Sequence, residues 1–359
     1  MNRHLMESLE TRRLLSGLSV TTYKLPSGTS FPRDLTIGNN GAVWFTCGLD
    51  AKLGYINSSG QSTTFSTTSI GTNGPEGMAV GPNGAMYFGE FWQNAIGAVT
   101  HKGKILRLDN TDTGIEQMVT GPDSNLWYTT FNDQIACCNL NTLAVTYYRD
   151  TATTVSMPPI CGEDMLSYKG EIFFIAGNQV AQINTSGIYG QSYDGAHGGN
   201  VEAIADIGGS LWFTEQCNNS RKYNYACVLG RRSAVSEYRV PASYGTIQGI
   251  AGGGDGNIYV AAGQYLLCIS PSGSILSTDN LGIASGASDL LEAPNGNIWF
   301  NQGVLDQIGV ITSSAPAVTR PAFASASAAS ISAQASASPS SADDLVLGVA
   351  ANQNGLFAA

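Results

Sequence analysis

Charge, histidine and long apolar runs are what this sequence has least of. Of its 359 residues, 12 % are charged, and 17 Lys and Arg stand against 27 Asp and Glu for a net charge of −10. There is too little positive charge to build the basic face that grips phosphate backbones or anionic headgroups, so no nucleic-acid partner is expected. No apolar run approaches the ~18 residues of a membrane-crossing helix, so no transmembrane segment is expected. The three histidines are His4, His101 and His197, and no Ser/His/Asp order, Gly-x-Ser-x-Gly, His-Glu-x-x-His or P-loop occurs. Hydrolase and nucleotide-binding readings therefore have no residues to rest on. Seven Cys include no Cys-x-x-Cys and no Cys/His spacing of the zinc type. Cys137 and Cys138 are adjacent and point to opposite faces of a strand, while Cys47, Cys161 and Cys268 read as single buried thiols. Cys217 and Cys227 flank an Asn/Tyr-rich excursion and are candidates for a disulfide, provided their Cα atoms lie within about 4.4–6.8 Å.

What the chain has in quantity is Gly, 43 in all, and a short apolar core that recurs. The core reads turn, spacer, aliphatic residue, then two aromatic or apolar residues, as in Gly209-Ser-Leu-Trp-Phe213. Its first aromatic positions are Trp44, Tyr87, Trp127, Phe173, Trp212, Tyr259 and Trp299, in steps of 43, 40, 46, 39, 47 and 40 residues. A period near 40 with a strand-type core means a propeller or a solenoid. Residues 70–109 decide between them. Pro75–Val80 reads as an inner strand, Gly81-Pro-Asn-Gly84 as a tight turn, and Ala85–Glu90, Asn94–Val99 and Lys104–Leu108 as three further strands. Four short antiparallel strands per period make a propeller blade. The predicted fold is all-β, a seven-bladed propeller of four-stranded blades.

The ends decide closure. The last repeat has strands at 289–292, 297–301 and 307–311 but no fourth. Val20-Thr-Thr-Tyr-Lys-Leu-Pro26 matches the outer strand Val235-Ser-Glu-Tyr-Arg-Val-Pro241, so the N-terminal strand is expected to complete the seventh blade against 307–311 and leave no open edge. Three segments follow: a leader at 1–17, the propeller at 18–312, and an Ala/Ser-rich low-complexity tail at 313–359 that buries too little to order itself.

Function in a propeller usually sits at one mouth of the central channel. Two rings of positions are expected there. One begins each inner strand: Arg33, Glu76, Glu116, Gly162, Glu202, Gln248 and Ser288. The other lies three residues after each core aromatic: Cys47, Glu90, Thr130, Ala176, Glu215, Ala262 and Gln302. Antiparallel pairing is expected to bring Glu76 beside Glu90 and Glu202 beside Glu215. Close carboxylates share a proton, pair with a base such as Arg33, or bind a cation. The ligand-binding candidates are accordingly Arg33, Glu76, Glu90, Glu116, Glu202, Glu215, Gln248 and Gln302, with Glu202 and Glu215 as metal candidates for Mg²⁺ or Ca²⁺. The alternative is that these Glu side chains only accept hydrogen bonds from neighbouring amides. His197, just before the strand of Glu202, is a surface-loop histidine or a visitor to the same mouth.

Two resemblances add to this reading. Glu7-Ser-Leu-Glu-Thr-Arg-Arg-Leu-Leu15 resembles the LEPR-XLL leader of bacterial surface proteins, with Thr11 where that pattern has Pro; it implies an extracellular or cell-envelope destination. The repeats carry Gly74-Pro-Glu-Gly77, Gly81-Pro-Asn-Gly84, Leu211-Trp-Phe-Thr-Glu215, Asn94-Ala-Ile-Gly97 and Asp306-Gln-Ile-Gly309. Over all seven they resemble the virginiamycin B lyase (streptogramin lyase) family. That resemblance implies magnesium-dependent elimination opening a cyclic depsipeptide at its ester, using His at the inner-strand starts of the last two blades and two Glu in the final one. By blade order those positions hold Gln248 and Ser288, and Gly286 and Gln302. Gln and Ser cannot take a proton near neutral pH as His does. The expectation is therefore a monomeric, exported binding module for a small molecule or surface partner. A divergent metal-dependent lyase and a purely structural surface protein are the alternatives.

Overall fold

The computed structural model describes residues 2–5, 8–13, 18–57, 59–71, 74–100, 102–110, 113–149, 164–195, 197–217, 222–229, 235–281 and 287–313. They form seven antiparallel sheets, one per repeat, whose inner strands line a central channel. Blade two shows the plan: Pro75–Val80, Met86–Glu90, Ala95–Val99 and Ile105–Asn110 run outward from the channel in sequence order. Among the described residues no helix is long and apolar enough to cross a membrane.

Each motif has a structural cause. In Gly81-Pro-Asn-Gly84, Gly84 has φ +73°, and the Asn83 amide donates to the Tyr87 hydroxyl at 2.9 Å. Asp123 accepts from the Trp127 indole at 3.0 Å and Asp255 from the Tyr259 hydroxyl at 2.8 Å, so the turn residue holds the polar atom of the first core aromatic. The second aromatic is the blade's centre: Phe45, Phe88, Phe174, Phe213 and Phe300 are fully buried. Glycines opposite it make the room. A Cβ on Gly97 would stand 2.1 Å from the Phe88 ring, and one on Gly309 2.0 Å from Phe300. The polar residue that opens the third strand takes the left-handed conformation, φ 49° at Asn94 and 54° at Asp306. Asn and Asp tolerate that region best among non-glycine residues.

Closure follows the predicted route. Leu18–Lys24 pairs with Gln307–Ser313, from Leu18↔Ser313 to Lys24↔Gln307. Leu18 and Val20 are buried with Ile298, Phe300 and Ile311. The boundary at residue 17 differs from the sequence reading. Ser8–Arg13 pairs with Leu18–Lys24, and Asn2–Leu5 pairs with Gln61–Ser66 of blade one, so both sheets gain a fifth strand. An outer strand presents unpaired N–H and C=O groups, and the preceding chain is near enough to take them. Cys161, Gly162, Gly286 and the tail beyond 313 lie outside the described residues.

The expected Cys217–Cys227 disulfide is absent: both are buried free thiols. The hairpin register is the reason, for it sets Cys227 opposite Phe213 and brings Tyr225 opposite Glu215, leaving the two sulfurs offset along the blade.

Candidate functional site

A β-bulge begins the inner strand of blades two, three, five, six and seven. In blade two, Pro75 pairs with Glu90, and pairing resumes only at Met78 with Phe88. In blade five, Val201 pairs with Glu215, and pairing resumes at Ile204. A bulge re-aims the residues it contains. Glu76 and Glu202 therefore face the channel, while Glu90 and Glu215 share the blade interior with Pro75 and Val201.

The two expected rings part company as a result. Arg33, Glu76, Glu116, Glu202, Gln248 and Ser288 all line one cavity of about 410 Å³. Glu90, Glu215 and Gln302 do not; they are fully or almost fully buried behind its wall. Glu90 accepts the Gly74 N–H at 2.7 Å. Glu215 Oε1 accepts the N–H groups of His197 at 3.1 Å and Gly199 at 2.8 Å. At this ring the acceptor reading describes what the carboxylates do, and the expected neighbour pairs Glu76/Glu90 and Glu202/Glu215 divide between channel and blade interior. His197 is not among the cavity residues. Its ring stacks on Tyr225 with centroids 4.0 Å apart, and Nε2 lies 2.9 Å from Glu237 Oε2.

Three further channel carboxylates, Asp34, Asp164 and Asp289, each stand just before the inner-strand residue that pairs with the second core aromatic: Leu35 with Phe45, Met165 with Phe174 and Leu290 with Phe300. Each reaches to the next blade. Asp34 accepts the Met78 N–H at 2.7 Å, Asp164 the Ile204 N–H at 2.9 Å and Asp289 the Leu35 N–H at 2.8 Å. Burial pushes Asp34 well above the usual carboxylate range; the charges of Asp289 and Asp164 add to it, and the bonds from Met78 and Gln117 oppose it. Burial also pushes Asp289 up to about 7, against the bond from Leu35. Glu76 is raised by burial too, and Arg33 opposes that rise through a 2.7 Å ion pair. Among the described residues lining the cavity, Arg33 is the one cation, set against six carboxylates. The repeat pattern held the signal for two of the three, since Asp34 and Asp289 directly follow the ring residues Arg33 and Ser288, whereas Asp164 stands two residues after Gly162.

The rim is apolar. Leu49, Trp92, Phe131 and Val304, in the connections after the second strands of blades one, two, three and seven, are 63–75 % exposed. Phe91 meets Trp92 and Phe131 edge-on at 4.6 and 5.4 Å. Bonds from Phe91 N–H to Gly74 C=O and from Phe131 N–H to Gly114 C=O tie these loops to the inner-strand starts, and so to this mouth.

Gln248 and Ser288, where the lyase resemblance implies histidines, both face the cavity. Ser288 Oγ donates to Asn301 Oδ1 at 2.5 Å. Gln302, where it implies a metal-binding Glu, offers a neutral amide buried away from the cavity. The described residues at those positions do not fit the family's magnesium.

Solved structures of similar fold include a streptogramin B lyase (TM-score 0.68, 19 % identity, 82 % of this chain and 97 % of that chain). A catalytically inactive virginiamycin B lyase from Staphylococcus aureus with quinupristin aligns at TM-score 0.68 and 18 % identity, over 82 % of this chain and 99 % of that one. The WD40 propeller domain of Doa1 aligns at TM-score 0.60 and 11 % identity, over 83 % and 96 %. At these identities the likeness is one of fold. No curated protein matches the chain. The virginiamycin B lyase family profile matches residues 5–270, and the seven blades, their turns and their core aromatics agree with it: the chain belongs to the virginiamycin B lyase family.

Proposed function

We propose that this propeller is an exported binding module that takes a cation-bearing ligand at its acidic mouth. The observation that carries the reading is the cavity of about 410 Å³ with Glu76, Glu116, Glu202, Asp34, Asp164 and Asp289 on its wall and, among the described residues, only Arg33 opposing them. Such a wall favours positive charge, whether a hard divalent ion such as Ca²⁺ or Mg²⁺ or an ammonium group on a small molecule. The exposed aromatic rim adds apolar area and rings that accept cations over their faces. A ligand with a cationic end and an apolar body matches both.

One observation favours the second reading, a divergent lyase. Asp289, raised to about 7, lines the cavity beside Ser288, and a base of that pKa is well matched to neutral pH. Its carboxylate is already engaged by Leu35, and the implied histidines are absent. Incubating the protein with a streptogramin B antibiotic and Mg²⁺ and following the mass over time tests the point. The ring is expected to stay closed. Linearisation that disappears in Asp289→Asn would establish catalysis at this mouth and overturn the binding-only reading.

A further inference from the structure

A second cluster of ligating groups lies inside blade five, away from the channel. It is built by three strands, Ser210–Gln216, Tyr223–Leu229 and Val235–Pro241. Their register sets Glu215 opposite Tyr225, Phe213 opposite Cys227, and Cys227 opposite Glu237. Residues directly opposite, or two apart along a strand, share a face, so Glu215, Cys227 and Glu237 project together. The face is the one turned to blade four, where Cys227 packs with Ile175 and Val180. One donor atom from each of Glu215, Cys227 and Glu237 lies within 4.8 Å of the other two.

The bland account covers part of this. Glu215 Oε1 serves the loop amides of His197 and Gly199. Its Oε2 is left over: it is buried and has no hydrogen-bond partner among the described residues, and the whole side chain is 0 % exposed. Buried carboxylate oxygens are costly to leave unmatched. A carboxylate repelled by a second one across the cluster calls for a cation rather than another anion.

The cluster is peculiar to this blade. At the Cys227 position, beside the second core residue, the other blades hold Gly54, Gly97, Ala136, Ala181, Leu267 and Gly309. Opposite five of those on the outer strand, where Glu237 stands, are Thr64, Arg107, Tyr147, Thr278 and Thr22; Ala181 lies beyond the paired stretch of its outer strand. Blade five alone replaces a small or aliphatic residue with a thiol and faces it with a carboxylate, in the same blade that keeps Glu215.

We propose that Glu215, Cys227 and Glu237 bind a thiophilic divalent transition-metal ion of the zinc class. Zinc takes sulfur at about 2.3 Å and carboxylate oxygen at about 2.0–2.2 Å in a tetrahedron, which the three donors reach by a small contraction. Calcium and magnesium prefer all-oxygen shells and leave a thiolate unused. Binding transfers the Cys227 thiol proton to solvent and forms the metal–sulfur bond in its place. His197 holds Glu237 through its 2.9 Å bond and stands at the open side of the cluster, where its side chain and that of Glu237 are 25 % and 20 % exposed. It orients the carboxylate and closes the approach behind the ion, as outer groups do at zinc sites.

The test is a Co²⁺ titration of the full chain, stripped with chelator and kept reduced. The thiolate-to-cobalt charge-transfer band is expected to saturate at one equivalent of thiolate-bound Co²⁺, and Zn²⁺ is expected to displace it. Cys227→Ser should abolish the band, Glu237→Gln should weaken the thiolate-bound ion at least about tenfold, and Cys268→Ser should give the parent's band. X-ray absorption of the zinc-loaded parent should show one sulfur in an otherwise oxygen and nitrogen shell, a readout that stands even if a variant fails to fold. No stoichiometric binding, a shell with no sulfur or several, or a band that survives Cys227→Ser would overturn the proposal. Only the Cys227 cluster can give a thiolate band, and this keeps the result separate from the fate of the all-oxygen channel-mouth reading.

Discussion

Asp289 Oδ2 accepts the backbone N–H of Leu35 at 2.8 Å, carrying a side chain from the last blade to the first across the seam of the ring. Asp34 and Asp164 do the same for Met78 and Ile204 between consecutive blades. The carboxylates that make the mouth acidic are thus also stitches between inner strands.

This double role gives a pH dependence. Asp289 is raised from 3.8 to about 7 in the folded protein, so the fold favours its protonated form. The stability it contributes is complete below about pH 4 and declines as pH rises through about 7. Asp289→Asn keeps a carbonyl to accept the Leu35 N–H and carries no charge. Thermal melts should show the variant gaining on the parent at pH 8, with little difference at pH 4. An equal loss at both values would mean that the charge is of no consequence there.

Closure predicts an order among truncations. Removing residues 1–27 takes away the strand that pairs with Gln307–Ser313 and buries Leu18 and Val20, and should lower the melting temperature sharply. Removing residues 1–17 takes away only the added strands Asn2–Leu5 and Ser8–Arg13 and should lower it less. Equal melting temperatures for the two truncations would defeat the assignment of Leu18–Lys24 as the closing strand.

The core makes a further prediction. A methyl on Gly97 would meet the Phe88 ring at 2.1 Å, and overpacking of this kind typically costs about 1–3 kcal/mol. Urea denaturation of Gly97→Ala should show a loss in that range. A variant as stable as the parent would show that the Asn-x-Ile-Gly motif is not kept for this contact.

How far the sequence is legible can be read residue by residue. The aromatic series from Trp44 to Trp299, the turns and the match between 20–26 and 235–241 point to the propeller and its closure because they are local, periodic signals. The channel-facing placement of the six described members of the first ring was legible as well. The partnership of Glu76 with Glu90 and of Glu202 with Glu215 was not, because strict alternation assumes an unbroken ladder. The bulges after Pro75 and Val201 send the two members of each pair to different places. The grouping of Glu215 with Cys227 and Glu237 depends on the register of a long hairpin and its outer strand, which no short spacing announces.

The central claim is that the channel mouth is a cation-seeking site. A ligand that binds only the folded state raises the melting point by mass action. At pH 8, millimolar Ca²⁺ or Mg²⁺ should raise the parent's melting temperature by a few degrees and do so far less in Glu76→Gln and Glu202→Gln, both on the cavity wall. A melting curve indifferent to divalent ions, or variants that respond as the parent does, would contradict the claim.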